Sequence, residues 1–207
     1  MGGQTPREFL NDVWHSYDGG LTWTCVVEHA PWSGRAGHKL IHYEGELLLF
    51  SGSSCNFPRL FPGDIWASSD LGVTWTERAA DVPWNLASDT RGRAGMEVVP
   101  LNDGGLYVMG GDNDNPAWAF GPNFADVWVS YDNAATFQPI EIIGDLWSPR
   151  TGHKCATPDG EWIYCFAGAN QNGTIASPLP SIQDGVTIIL HDVWKSKDGA
   201  GAFICKE

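Results

Sequence analysis

Apolar residues come in short runs along this chain, as in Leu47–Phe50 and Leu106–Met109, and Gly- and Pro-containing stretches separate them. Runs of that length fit strands. A helix needs a longer amphipathic stretch, and none here exceeds two turns. The 25 glycines and 13 prolines signal many tight turns joining short strands. The pattern predicts an all-β chain, and 207 residues fit one domain.

The runs recur in phase. Asp12-Val13-Trp14, Asp64-Ile65-Trp66, Asp126-Val127-Trp128 and Asp192-Val193-Trp194 each lead, four residues after the Asp, to a Ser that opens an octet. Two octets run in full, Ser16-Tyr17-Asp18-Gly19-Gly20-Leu21-Thr22-Trp23 and Ser68-Ser69-Asp70-Leu71-Gly72-Val73-Thr74-Trp75. A third, from Ser130 and Asp132 to Phe137, has Ala where the key Gly stands. The fourth, from Ser196 and Asp198 to Phe203, has Ala for Thr. Between octets, Arg35-Ala36-Gly37-His38, Arg93-Ala94-Gly95-Met96 and Arg150-Thr151-Gly152-His153 each lead to an apolar run closed by Gly52, Gly111 or Gly168. The Arg-to-Gly separations are 17, 18 and 18 residues, which predicts one hairpin of fixed size per unit. From that Gly to the next Asp the separations are 12, 15 and 24, which predicts a variable loop.

Each unit therefore holds four strands, and Ser-to-Ser lengths of 52, 62 and 66 residues fit four-stranded propeller blades. The Arg-x-Gly-His segment, the run ending in Gly-Gly and the Asp-Val-Trp segment resemble the kelch repeat. The octet resembles the Asp-box turn of sialidases. The resemblance implies an all-β propeller segment of four-stranded antiparallel blades, with a half blade at 1–30 and blades at about 31–83, 84–146 and 147–207. Met1-Gly2-Gly3 aligns with Met109-Gly110-Gly111, so the expectation is a fragment of a larger propeller, closed by missing blades or by self-pairing of two copies.

The octet residues Ser16, Asp18, Gly20, Trp23, Ser68, Asp70, Gly72, Trp75, Ser130, Asp132, Ser196 and Asp198 have a structural expectation. Ser and Asp bond turn amides, Gly takes a positive φ, and the Trp enters the fourth strand to pack between blades. Nine of the eleven tryptophans occupy repeat positions and read as core. Trp162 reads as part of a second strand. Trp118 falls in a variable loop and reads as a partner contact.

Charge narrows the function classes. A net charge of −13 disfavours nucleic acid and anionic membrane as partners, and no apolar run approaches membrane-spanning length. Five cysteines at irregular spacing form neither a disulfide framework nor a zinc motif. Cys155 and Cys165 flank a turn and lie on adjacent strands, but buried free thiols are the expectation. Asn172-Gly173-Thr174 is a glycosylation sequon. The compartment stays unassigned, inclining to extracellular.

Binding residues are expected on the loop face, at Ser53–Gly63, Asp112–Ala125 and Ala169–His191. Arg35, Arg59, Arg93, Trp118 and Arg150 are the candidates. Three of these arginines recur near the channel mouth, where they would fork onto ligand carboxylates or pair with a carboxylate of the neighbouring blade. Asp112-Asn113-Asp114-Asn115 lacks the Gly and distal Glu of an EF-hand loop and reads as a polar loop. The function expected is a non-catalytic scaffold with a protein or peptide partner, a glycan being possible, and with no cofactor and no metal. The alternative is a sialidase-like glycan-processing enzyme, although no Tyr–Glu pair is assignable. A copper oxidase would need a Tyr–Cys crosslink, and His38 and His153 sit at repeat positions that point to structure.

Overall fold

The computed structural model describes residues 1–54, 61–84, 92–113, 123–142 and 147–170, with the backbone of strands at 188–189, 193–197 and 204–206. In chain order the strands are β1 (Gly3–Gln4), β2 (Phe9–Leu10), β3 (Val13–His15), β4 (Thr24–Val27), β5 (Lys39–Tyr43) and β6 (Glu46–Phe50). Then follow β7 (Ile65–Ser68), β8 (Thr76–Ala79), β9 (Glu97–Pro100), β10 (Leu106–Met109), β11 (Val127–Ser130) and β12 (Gln138–Pro139). The last six are β13 (Lys154–Ala156), β14 (Trp162–Phe166), β15 (Ala169–Asn170), β16 (Ile188–Ile189), β17 (Val193–Lys197) and β18 (Ile204–Lys206). No helix occurs among the described residues, and none is long and apolar enough to cross a membrane.

Three sheets have four antiparallel strands, in the orders β5-β6-β7-β8, β9-β10-β11-β12 and β13-β14-β17-β18. β3 and β4 form a two-stranded sheet equivalent to the second half of each. The expected first, second, third and fourth strands thus fall where the repeat puts them. Two further pairs, β1-β2 and β15-β16, were not expected. The second pair lies at the ends of the longest variable loop.

Strand alternation explains how the sheets stack. Successive side chains point to opposite faces, so a strand between two sheets is apolar throughout. β10 is such a strand. Leu106 and Val108 join Leu48, Phe50, Ile65 and Met96 in one core cluster, and Tyr107 and Met109 join Val127, Ile163 and Cys165 in another. A third cluster places Val13 and Trp32 against Leu49 and Trp75. The cores therefore lie between successive sheets rather than within one. Burial of each such Leu, Val or Phe stabilises by about 1.5–3 kcal/mol.

Cys155 and Cys165 are joined as a disulfide, which corrects the expectation of free thiols. The two residues stand directly opposite in the β13–β14 register, with Cα atoms 4.2 Å apart. Residues so paired share a face and bring their sulfurs within bonding reach. The Met109 thioether lies against both sulfurs. Cys25 is a free, half-buried thiol.

Candidate interaction rim and the clasps beneath it

Each Arg-x-Gly segment begins with an arginine that is fully buried. Arg35 forks onto Asp64 of the same sheet, Nη1 to Oδ1 at 2.6 Å and Nη2 to Oδ2 at 2.8 Å, and its remaining donors reach Ser51 and Ser33. Arg93 forks in the same way onto Asp126, at 2.7 and 3.0 Å, and donates to the carbonyls of Gly110 and Trp84. The guanidinium planes lie over Trp32 and over Phe124. In both clasps the tryptophan two residues beyond the aspartate donates its indole N–H to the carboxylate, Trp66 to Asp64 and Trp128 to Asp126. Arg150, also fully buried, bonds Ala167 and Ser148 and stacks on Trp147. Its repeat-equivalent aspartate, Asp192, lies outside the described residues.

Of the two roles left open for Arg35, Arg93 and Arg150, their full burial favours the structural one over contact with a surface ligand. The Nη groups of Arg35 and Arg93 are engaged inside the protein, and all three side chains are closed off from the surface. The carboxylate partner of Arg35 and of Arg93 belongs to the arginine's own sheet, not to the neighbouring one. A buried guanidinium needs its charge balanced, and an aspartate one strand pair away in the same sheet supplies the planar two-point match.

The clasps fix the end of each sheet from which the variable loops spring. Ala36 bridges Ser53, Ala94 bridges Asp112 and Thr151 bridges Ala169, at equivalent places. Successive sheets are tied there by backbone bonds: Gly95 N–H to Gly37 C=O and Gly152 N–H to Gly95 C=O, both at 2.9 Å. Gly52 and Gly111 donate in turn to the carbonyls of Arg93 and Arg150 in the next sheet. The loops after Ser53, Asp112 and Ala169 therefore leave from three adjoining points. Of the residues expected to bind there, Arg59 and Trp118 lie outside the described residues, as do Asp114 and Asn115. Asp112 and Asn123 bridge one another, and Asn113 is buried with its amide on Gly92 C=O.

One feature of this end escaped the sequence reading. Four residues beyond each arginine stand Lys39, Glu97 and Lys154, and the buried Glu97 takes Lys39 on one carboxylate oxygen and Lys154 on the other. The in-phase Lys, Glu, Lys order was the available signal. His153, one residue before Lys154, is fully buried with neither ring nitrogen bonded. Burial first, then the Arg150 charge, pulls its pKa down to about 3. His38 is pulled down to about 4 by burial and Arg35.

At the opposite end the first three octets close on themselves through side-chain hydrogen bonds. In the second octet Ser68 Oγ accepts from Gly72 N–H and donates to Asp70, and Asp70 accepts from the amide and hydroxyl of Thr74. Trp75 Nε1 donates to Gly72 C=O. The first octet repeats every one of these bonds. The bonds to threonine pull the carboxyls of Asp18 and Asp70 down to about 2. In the third octet Ser130 and Asp132 make the same bonds, and Ala134 adopts φ +63°, the conformation expected of glycine. The fourth octet, with Asp198 and the Ser196 side chain, lies outside the described residues. The octet tryptophans differ: Trp75 is 7% exposed and packs edge-on against Trp32, whereas Trp23 is 59% exposed. The expectation that Trp23 packs between sheets is corrected, since no sheet lies over it among the described residues.

Among the described residues no group of three or more His, Cys, Asp or Glu is placed to hold a metal ion. No protein-family model matches the chain. The chain is similar to the genome polyprotein of St. Louis encephalitis virus (strain MS1-7), at 25% identity over 175 residues. That likeness covers 75% of this chain and 5% of the viral protein. The chain thus spans about one twentieth of that relative's length, and at this identity the likeness does not show a family.

Proposed function

We propose that the chain is a kelch-type propeller segment acting as a non-catalytic interaction scaffold, with a protein or peptide partner held by the variable loops. The observation that carries this reading is the common origin of those loops. Three loops of different length leave from hydrogen-bonded, repeat-equivalent positions on one end of a stacked set of sheets. A rigid repeated frame with divergent loops on one end is an arrangement suited to recognition. The self-closing octets support the Asp-box resemblance, and the stacking of sheets through shared cores supports a blade-like organisation. The glycan-processing alternative would need guanidinium groups free to meet a sugar carboxylate, and Arg35 and Arg93 are bound to Asp64 and Asp126.

The test is capture of partners by the immobilised chain, with Arg59→Ala and Trp118→Ala on the loop end and Tyr17→Ala and Tyr131→Ala on the octet end. The reading expects the loop-end pair to lose captured partners and the octet-end pair to keep them. Unchanged capture by the loop-end pair refutes the loop-end version.

A further inference from the structure

Three core positions recur between successive four-stranded sheets. Two are a facing pair on the first and second strands of one sheet. The third lies two residues before the last glycine of the preceding sheet's apolar run. Between β5-β6-β7-β8 and β9-β10-β11-β12 these positions hold Val98, Val108 and Phe50, which share one core cluster. Between β9-β10-β11-β12 and β13-β14-β17-β18 they hold Cys155, Cys165 and Met109. Valine and phenylalanine fill this layer by packing alone, yet in the second layer all three positions carry sulfur. Met109 Sδ lies 3.5 Å from Cys155 Sγ and 3.4 Å from Cys165 Sγ. Val127, Ile163 and Trp147 belong to the same cluster and give the sulfurs an apolar wall. Cys165 and Met109 are fully buried, whereas Cys155 is half-buried and leaves one sulfur within reach of a reagent in solution.

We propose that Cys155, Cys165 and Met109 form a site for one Cu(I) ion, closed while the disulfide stands and opened by its reduction. A phosphine or a dithiol supplies the two electrons. The S–S bond breaks and each sulfur takes a proton. The reductant leaves as a phosphine oxide, its oxygen drawn from water, or as a disulfide. Cu(I) then binds both sulfurs as thiolates and releases the two protons, and Met109 Sδ donates a lone pair for the third bond. Soft thiolate and thioether donors in one place select a soft monovalent ion. A structural zinc ion takes four Cys, His or carboxylate ligands, and among the described residues no such group is assembled. The β13–β14 register holds both cysteines on one face, so the freed sulfurs part by side-chain rotation with the strands still paired. The site lies in a buried layer away from the variable loops and does not rest on the interaction reading.

The test uses the full chain with Cys25→Ser, Cys55→Ser and Cys205→Ser, which leaves no other thiol. It is reduced with an immobilised phosphine under nitrogen and titrated with Cu(I) held as its bicinchoninate complex. The reduced chain is expected to take one Cu(I) per molecule, and the oxidised chain none. Met109→Leu keeps the packing volume and should weaken the affinity at least about tenfold. Cys165→Ala should abolish uptake. X-ray absorption should find three sulfur neighbours around the copper. Cu(I) should raise the unfolding midpoint of the reduced chain and leave that of the oxidised chain unchanged. Near-UV circular dichroism follows the native fold throughout. A reduced chain that stays native but takes no Cu(I), or one that unfolds on reduction and is not refolded by Cu(I), would overturn the proposal. So would an affinity indifferent to Met109→Leu, or nitrogen or oxygen in the first coordination shell.

Discussion

Arg93 and Asp126 form a two-point ion pair, 2.7 and 3.0 Å, in which the arginine is wholly buried and the aspartate also receives the Trp128 indole. The pair ties the entry of the first strand to the start of the third. Removing one partner leaves a charge without its counter-ion. Asp126→Ala, which strands the wholly buried guanidinium, should therefore cost about 3–5 kcal/mol in urea unfolding. The double replacement Arg93→Met with Asp126→Leu should cost less than the single one. A single-variant cost under about 1 kcal/mol would mean that the clasp contributes little to the fold.

The disulfide between Cys155 and Cys165 closes a short loop around the β13–β14 turn. Loop-closure entropy predicts that reduction lowers unfolding free energy by about 2–3 kcal/mol. Urea midpoints with and without a phosphine reductant measure this. The Cys155→Ala, Cys165→Ala chain should match the reduced protein and show no response to reductant.

Acid should weaken the fold in two steps. His153 and His38 are neutral in the folded protein, with pKa values pulled down to about 3 and about 4. The unfolded chain binds protons from about pH 6.5 downward, so it holds more protons than the folded one in that window. Stability is then full above about pH 6.5 and falls as pH drops toward 3. For His153 the loss is on the order of 4 kcal/mol. His153→Met, which copies Met96 at the equivalent position, should flatten this part of the profile. Asp18 and Asp70 act at lower pH, because their carboxyls titrate near 2 when folded. Their contribution is present above about pH 4 and is lost between about 4 and 2. A His153→Met profile parallel to that of the native chain between pH 6.5 and 3 would exclude the histidine as its source.

Gly72 and Gly20 occupy the same octet position, at φ +87° and +90°. Alanine at either position meets the left-handed backbone penalty of about 1 kcal/mol. At Gly72 a Cβ would also stand 3.2 Å from Val13 Cγ1, whereas at Gly20 its nearest neighbour is Trp23 at 3.7 Å. Gly72→Ala should thus cost roughly 1 kcal/mol more than Gly20→Ala in thermal unfolding. Equal costs would show that only the backbone term matters. Ala134, at the third such position, shows that the backbone is reachable without glycine.

The sequence by itself determined the strand content, the four-strand units and the octet turns. These depend on residues near one another in the chain. The alternation of Leu106 to Met109 fixes two faces, and Ser68, Asp70 and Thr74 close a turn within seven residues. Only the tertiary structure decided what the recurring arginines touch. Arg35 and Asp64 are 29 residues apart, and sequence phase cannot tell a surface guanidinium from a buried one. The same holds for the disulfide, which depends on the strand register that places Cys155 opposite Cys165. It holds too for Trp75 and Trp23, identical in motif yet buried and exposed, because burial depends on the sheet that lies over a residue and not on the residue itself.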